Sequence, residues 1–204
     1  MENVLYKALI FDMGEVLVKT FDRAPRTSLA NQFDRTFEDL EKLVYLSDSA
    51  VQAMAGEISE EDHFKYVLKV LGKPEFSIKS FQRAFWGGDN IDKEIITLIS
   101  SLKNQYRLGL LSNAMETTRQ RLTDSYNLMY YFHVSIFSYE VKMVKPNPEI
   151  FRIILDKLDV APNEAIFIDD TLENIEAANK LGITTIHAKS TSKTIKAIQK
   201  LLCI

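Results

Sequence analysis

Six side chains with useful chemistry stand at or near the carboxyl ends of short apolar runs. "ALIFD" delivers Asp12, "LGLLSN" delivers Ser112 and Asn113, "AIFIDD" delivers Asp169 and Asp170, and "VKP" places Lys145 shortly after "VSIFSY". If the runs are parallel strands, these groups share one sheet edge, where open α/β sheets bind their ligands. Three acids, an amine and a hydroxyl would then meet, a set suited to phosphoryl transfer. A phosphate monoester dianion repels an attacking carboxylate, so its charge must be neutralised by a lysine and by a cation such as Mg²⁺ held on carboxylates. Asp12 would attack phosphorus and form an aspartyl phosphate that water hydrolyses. Ser112, nearby backbone amides and Lys145 would hold the phosphoryl oxygens. Asp169 and Asp170 would hold the metal, which supplies Lewis-acid stabilisation and alignment. His187 ends a fifth run, "TTIHA", without a partner legible in the sequence.

Each residue taken alone has a plainer reading. An aspartate two places before a glycine is a common turn residue. Asp169 and Asp170 could cap the following helix at its positive end, and Ser112-Asn113 could be an ordinary strand-end turn. Lys145 could be solvated beside a proline turn, although its place before a helix N-terminus favours anion binding.

The elements that must position these groups follow from periodicity. The five runs are rich in β-branched and aromatic residues without strict alternation, as expected of strands covered on both faces. Helical patterns separate the later ones: "METTRQRLTDSYNL", then "PEIFRIILDKL" with Asn147 as N-cap and Pro148 at the first position, then "TLENIEAANKLG" with Thr171 as a possible cap and Gly182 as the stop. The alternation predicts an α/β, Rossmann-like three-layer core with a parallel sheet. Residues 19–89 read differently, with no convincing strand. "ISEEDHFKYVLKVLG" is the clearest helix there, with Ser59 and Asp62 as a capping pair and Phe64, Val67, Leu68 and Leu71 as its apolar stripe. "FWGGDN" supplies hinge glycines. The expected organisation is therefore a core over 1–18 and 90–204, with a small all-helical cap over 19–89 inserted after the first strand.

The 204 residues carry a net charge of -3 and 46% hydrophobic residues, which suits a globular chain that buries a core and argues against nucleic acid or an anionic membrane as partner. The single cysteine, Cys203, excludes an intrachain disulfide and a cysteine-based metal site. The run in "MENVLYKALIF" is too short for a secretory segment, and no stretch approaches the roughly 20 apolar residues of a membrane span. A cytoplasmic protein is the expectation.

The motifs resemble those of the haloacid-dehalogenase-like hydrolase superfamily along essentially the whole chain. "FDMGEVL", "LLSN", "VKP" and "IDDTLEN" are similar to its four motifs in order and spacing, and the helical insert resembles the cap of one subfamily. "KMVKPNPEIFRIIL" through "IFIDDTLENIEAANKLGI" is especially similar to sugar-phosphate phosphatases of glucose-1-phosphatase type and to the phosphatase domain attached to some epoxide hydrolases. The resemblance implies a Mg²⁺-dependent phosphatase of a small phosphorylated metabolite, a sugar phosphate. It makes Asp12 the nucleophile and a metal ligand, the carbonyl of Gly14 a second ligand and Asp170 the main fourth-motif ligand. Asp169 would support the metal through water, Asn174 would orient those waters, and Ser112, Asn113 and Lys145 complete the catalytic set. Most phosphatases of this superfamily have aspartate where Gly14 stands, as the acid that protonates the leaving oxygen; its absence implies reduced turnover, and some of the sugar-phosphate phosphatases share the glycine. Glu15 could substitute only if the loop turned it inward. In the cap, Arg23, Arg26, His63 and Trp86 are the candidate substrate contacts: Arg23 and Trp86 lie nearest the hinges, whereas arginines are mostly surface residues and His63 is expected on the polar side of its helix. Two rivals remain, a metal-free dehalogenase, which the intact acidic pair disfavours, and a phosphate-binding or interaction module in which Gly14 marks lost catalysis.

Overall fold

The computed structural model describes residues 6–204, so the part of the leader reading that falls on residues 1–5 lies outside the described residues. In chain order the elements are β1 (Ala8–Phe11), β2 (Val18–Thr20), α1 (Ala24–Asn31), α2 (Phe37–Tyr45), α3 (Asp48–Met54), α4 (Glu60–Val70), α5 (Ile78–Phe85), β3 (Asp89–Ile91), α6 (Lys93–Leu102), β4 (Arg107–Ser112), α7 (Thr118–Tyr126), β5 (Val134–Phe137), α8 (Ser138–Val141), α9 (Pro148–Leu158), β6 (Ala165–Asp169), α10 (Leu172–Lys180), β7 (Thr184–His187) and α11 (Thr191–Leu202).

All five expected strands form one parallel sheet in the order β5-β4-β1-β6-β7. Their lack of alternation has a direct cause, since both faces are covered. Leu9 and Phe11 of the central strand pack with Ile95 and Ile99 of α6 and Ile198 of α11. Ala8 and Ile10 face the other way, toward Ile150, Phe151 and Ile154 of α9 and Ile175 and Ala178 of α10. Gly109 lets α9 come close, because a Cβ there would stand 2.9 Å from Leu158 Cδ1 and 3.0 Å from Ile154 Cδ1. The expected caps hold at α9, where Asn147 accepts from Glu149 N–H. Gly182 follows α10 with φ +84.

Helices α1–α5 bury Leu29, Leu40, Phe64, Phe81 and Phe85 in a cluster of their own. Ser59 caps α4 as expected, accepting from Asp62 N–H at 3.0 Å and donating to its carboxylate at 2.7 Å. Three details correct the sequence reading. The insert is not purely helical: it is entered and left through an antiparallel ribbon, β2 with β3, that straddles the expected boundaries. Strands of three residues carry too little alternation to read. His63 is fully buried, not on a polar face; its Nδ1 lies 2.9 Å from Ser49 Oγ, a partner 14 residues away that makes burial tolerable. Arg26 is likewise only 2% exposed.

The cap is fastened to the core along one edge. Met115, from the loop after β4, inserts into the cap's apolar cluster. Glu60, the first residue of α4, accepts from the N–H and hydroxyl of Thr117 at 2.8 and 2.7 Å. Ser138 donates to Met54 O at 2.6 Å and accepts from Ala114 N–H at 2.9 Å. Gly56 lies so close to Tyr139 O that a Cβ would stand 2.7 Å from it. Among the described residues no helix is long and apolar enough to cross a membrane.

Candidate active site

Parallel pairing brings the carboxyl ends of β1, β4 and β6 to one edge, and the loops after them supply the polar groups. Lys145, 4% exposed, places its ammonium 2.6 Å from Asp12 Oδ1 and 2.7 Å from Asp169 Oδ2. The lysine is aimed by its own backbone. Asn113 Nδ2 donates to Lys145 O at 2.9 Å, and Asn113 Oδ1 accepts from Lys145 N–H at 2.7 Å. Both ends of the Asn113 amide thus hold the lysine's backbone, while the residue also lines the cleft. Ser112, nearly buried, also lines the cleft.

The paired acids of the fourth motif divide their tasks. Asp169 is fully buried and heavily bonded, accepting from Lys145, from Thr171 N–H at 2.8 Å and from Asn174 Nδ2 at 3.1 Å. Asn174 therefore steadies Asp169, and Thr171 contributes its backbone N–H where the sequence suggested a side-chain cap. Asp170 is half-buried and carries few such bonds. His187, without a legible partner in the sequence, meets Asp170 O at 2.9 Å through Nε2.

The charges are strongly coupled. Burial pushes the Asp12 carboxyl up to about 7; Lys145 opposes the shift, and Asp169 and Asp170 add to it. Burial works against charge on Lys145, yet Asp12 and Asp169 outweigh it and raise the ammonium above its usual range. Asp170 is raised by burial and by Asp169. Three carboxylates crowded together are the natural seat of a divalent cation, and Asp12, Asp169 and Asp170 each offer an oxygen within 4.8 Å of the others. An all-oxygen donor set suits Mg²⁺. The residues present thus fit the metal, with Asp12 and Asp170 the freer carboxylates and Gly14, whose carbonyl accepts from Val16 N–H at 2.6 Å, lining the same cleft.

The cleft above this edge has a volume of about 720 Å³. Its floor includes Asp12, Gly14, Ser112, Asn113, Lys145, Asp170 and Asn174; its far wall is built by Arg26, Lys42, Tyr45 and Leu46 from the cap and by Arg121 from α7. Neither Arg23 nor Trp86 is part of the wall. Arg23 pairs at 2.5 Å with Glu38, which lines the cleft where Arg23 does not, and Trp86 stands behind, donating to Tyr45 OH at 3.0 Å. Arg26 takes the place expected of Arg23, bonded to Phe85 O, Glu41 and Asp89. Sequence reasoning also missed Arg121, which nothing local distinguishes from a surface arginine. Glu15 lines the cleft at φ +52, and burial followed by Asp170 raises its carboxyl. A Cβ at Gly14 would meet only Asp12 Oδ2, at 3.9 Å.

A family model for haloacid dehalogenase-like hydrolases matches residues 6–182. This chain belongs to that family. Among its relatives are a sesquiterpene phosphatase of Aspergillus oryzae, 26% identical over 97% of each chain, and a D-ribitol-5-phosphate phosphatase of Bacteroides thetaiotaomicron, 25% identical over 91% of this chain and 93% of that one. A haloacid dehalogenase family enzyme of Bacteroides thetaiotaomicron, crystallised with magnesium and inorganic phosphate, superposes with a TM-score of 0.76 at 27% identity, covering 92% of this chain and 98% of the other. Longer relatives match in part: the chain spans 13% of the bifunctional epoxide hydrolase 2 of Rattus norvegicus, with 36% identity over 73 residues. The hydrolase therefore has the three-layer core and capped cleft expected of its family, with phosphatases among its relatives.

Proposed function

We propose that this hydrolase is a Mg²⁺-dependent phosphatase of a small phosphorylated metabolite, a sugar phosphate, acting through an aspartyl phosphate on Asp12. The observation that carries the reading is the buried contact of Lys145 with Asp12 and Asp169 at the floor of a cleft that also presents Asp170. Asp12 supplies the attacking carboxylate oxygen. Lys145 offsets the dianion's charge and, with the Ser112 hydroxyl, holds phosphoryl oxygens while the P–O bond to the leaving alcohol breaks. Water then cleaves the acyl phosphate and returns Asp12 as a free carboxylate. When bound at Asp12, Asp170 and the Gly14 carbonyl, Mg²⁺ supplies charge neutralisation and alignment. The cap walls exclude bulk water. The relatives named for ribitol phosphate and for a sesquiterpene support phosphate esters as the substrate class, and the sugar is the reading that the ribitol-5-phosphate phosphatase supports.

The test is a screen of sugar phosphates and prenyl phosphates with the unaltered chain, with and without EDTA, beside Asp12→Asn. Hydrolysis that needs Mg²⁺ and vanishes in the variant is expected, together with a beryllofluoride adduct on Asp12. Turnover that survives EDTA would favour the metal-free dehalogenase reading. Mg²⁺ binding without turnover of any phosphate would favour the binding module.

A further inference from the structure

Arg121 stands apart among the cations of the cleft because it enters no ion pair among the described residues and keeps a buried donor without an acceptor. Every cap or hinge acid of the far wall is already paired: Glu38 with Arg23 at 2.5 Å, Glu41 with Arg26 at 2.5 Å and Asp89 with Arg26 at 2.9 Å. Of the four other carboxylates, Asp12 and Asp170 are at the catalytic end, Glu173 adjoins Asn174 in sequence, and Glu15 adjoins Gly14 and feels Asp170 most strongly among the acids. Arg121 enters none of the ion pairs among the described residues, and its buried Nε meets no acceptor. A guanidinium with unmet donors in a partly buried wall is costly unless a ligand supplies the acceptor.

Its orientation is nevertheless fixed. The guanidinium carbon lies 4.0 Å from the centre of the Trp86 ring. Trp86 in turn is held by its bond to Tyr45 OH and by edge contacts with Phe64 and Phe85 at 5.7 and 6.0 Å between ring centres. A guanidinium held over a ring can still offer N–H donors along its edge to a planar acceptor, the geometry that suits carboxylates. Lys42, on the cap side of the same wall, adds a second charge outside the ion pairs.

We propose that Arg121 reads a carboxylate at the far end of the leaving group, so that the substrate is a phosphorylated sugar acid or hydroxy acid. The proposal rests on the phosphatase reading for the word substrate, but its geometry concerns binding alone. Trp86 is then a positioning residue that acts through Arg121.

The test measures binding by calorimetry in Asp12→Asn with Mg²⁺, which prevents turnover. The ligands are 6-phosphogluconate and glucose 6-phosphate, which differ in the terminal carboxylate. The acid is expected to bind about tenfold more tightly or better, as a charge-assisted bidentate contact implies. Adding Arg121→Gln should bring the two affinities to within about twofold, and Arg121→Lys, which keeps the charge and loses the fork, should leave an intermediate ratio. Trp86→Leu should lower the ratio with Arg121 intact. Equal binding of the two ligands in Asp12→Asn, or a ratio unmoved by Arg121→Gln and Arg121→Lys, would overturn the proposal and leave Arg121 as a clasp between cap and core. If the unaltered chain hydrolyses neither ligand nor p-nitrophenyl phosphate while the ratio behaves as expected, the phosphatase reading fails and the carboxylate site stands.

Discussion

Gly14 leaves space beside the nucleophile where an acid would serve. Only Asp12 Oδ2 lies within 4 Å of a Cβ built there, and the backbone is not in the left-handed region, so the Cβ of an aspartate is accommodated. General acid-base assistance is worth about 10²–10⁴-fold. Gly14→Asp should therefore raise kcat on a sugar phosphate by at least about tenfold, with an unchanged thermal midpoint. Unaltered or lower kcat in a folded variant would mean that water, the substrate's own hydroxyl or Glu15 already moves the proton. At this scale the sequence was most informative where a residue has one possible neighbour set. Asp12, Lys145 and Asp169 meet because strand ends must meet. It was silent where a task depends on distant partners: that the Asn113 amide clamps the peptide of residue 145, and that Lys145, Thr171 and Asn174 all bond to Asp169, follows only from the fold.

Among the elements, the cap helix α4 carries two buried polar residues that the periodic pattern could not assign. His63 holds a neutral ring in an apolar setting, and burial lowers its pKa from 6.5 to about 4. Above pH 6.5 the ring is neutral whether the chain is folded or not, so no stability is lost. As pH falls from 6.5 toward 4, the unfolded chain takes up a proton that the folded chain refuses. Stability should drop across that window by up to roughly 3 kcal/mol, and little further below it. Urea unfolding at a series of pH values should show this slope, and His63→Gln should flatten it. Glu60 starts the same helix and bonds across to Thr117, the residue preceding α7. Its carboxylate thus serves the positive end of a core helix from within the cap. Glu60→Ala should cost about 2–3 kcal/mol in urea unfolding, and Glu60→Gln less, because the amide oxygen still accepts. A loss below about 0.5 kcal/mol for the alanine variant would show that Met115 and Ser138 hold the edge without it. None of this was legible locally. Helix α4 announced its caps and its stripe, but a buried glutamate and a buried histidine read as surface until their partners, 57 and 14 residues away, are known.

The whole molecule is built around an interruption. The first strand is central, yet the chain leaves it at once to make the cap. Ala8 pairs with Arg107 and with Ala165. The layering, the parallel sense and the site edge were legible, because strands buried on both faces must alternate with helices and cross over in one sense; the strand order was not. The ribbon and the cap's attachment were not, since three-residue strands and single bonds between domains carry no periodic signal. The central position of β1 also bears on biosynthesis. Its neighbours leave the ribosome about 100 and 160 residues after it does, which at about 5–20 residues per second is a wait of roughly 5–30 s. For that interval four apolar residues have two open hydrogen-bonding edges and nothing to shield either face. A chain stalled just past the cap would present its helices tethered to a bare adhesive segment, the kind of species that chaperones hold and that aggregates when they do not.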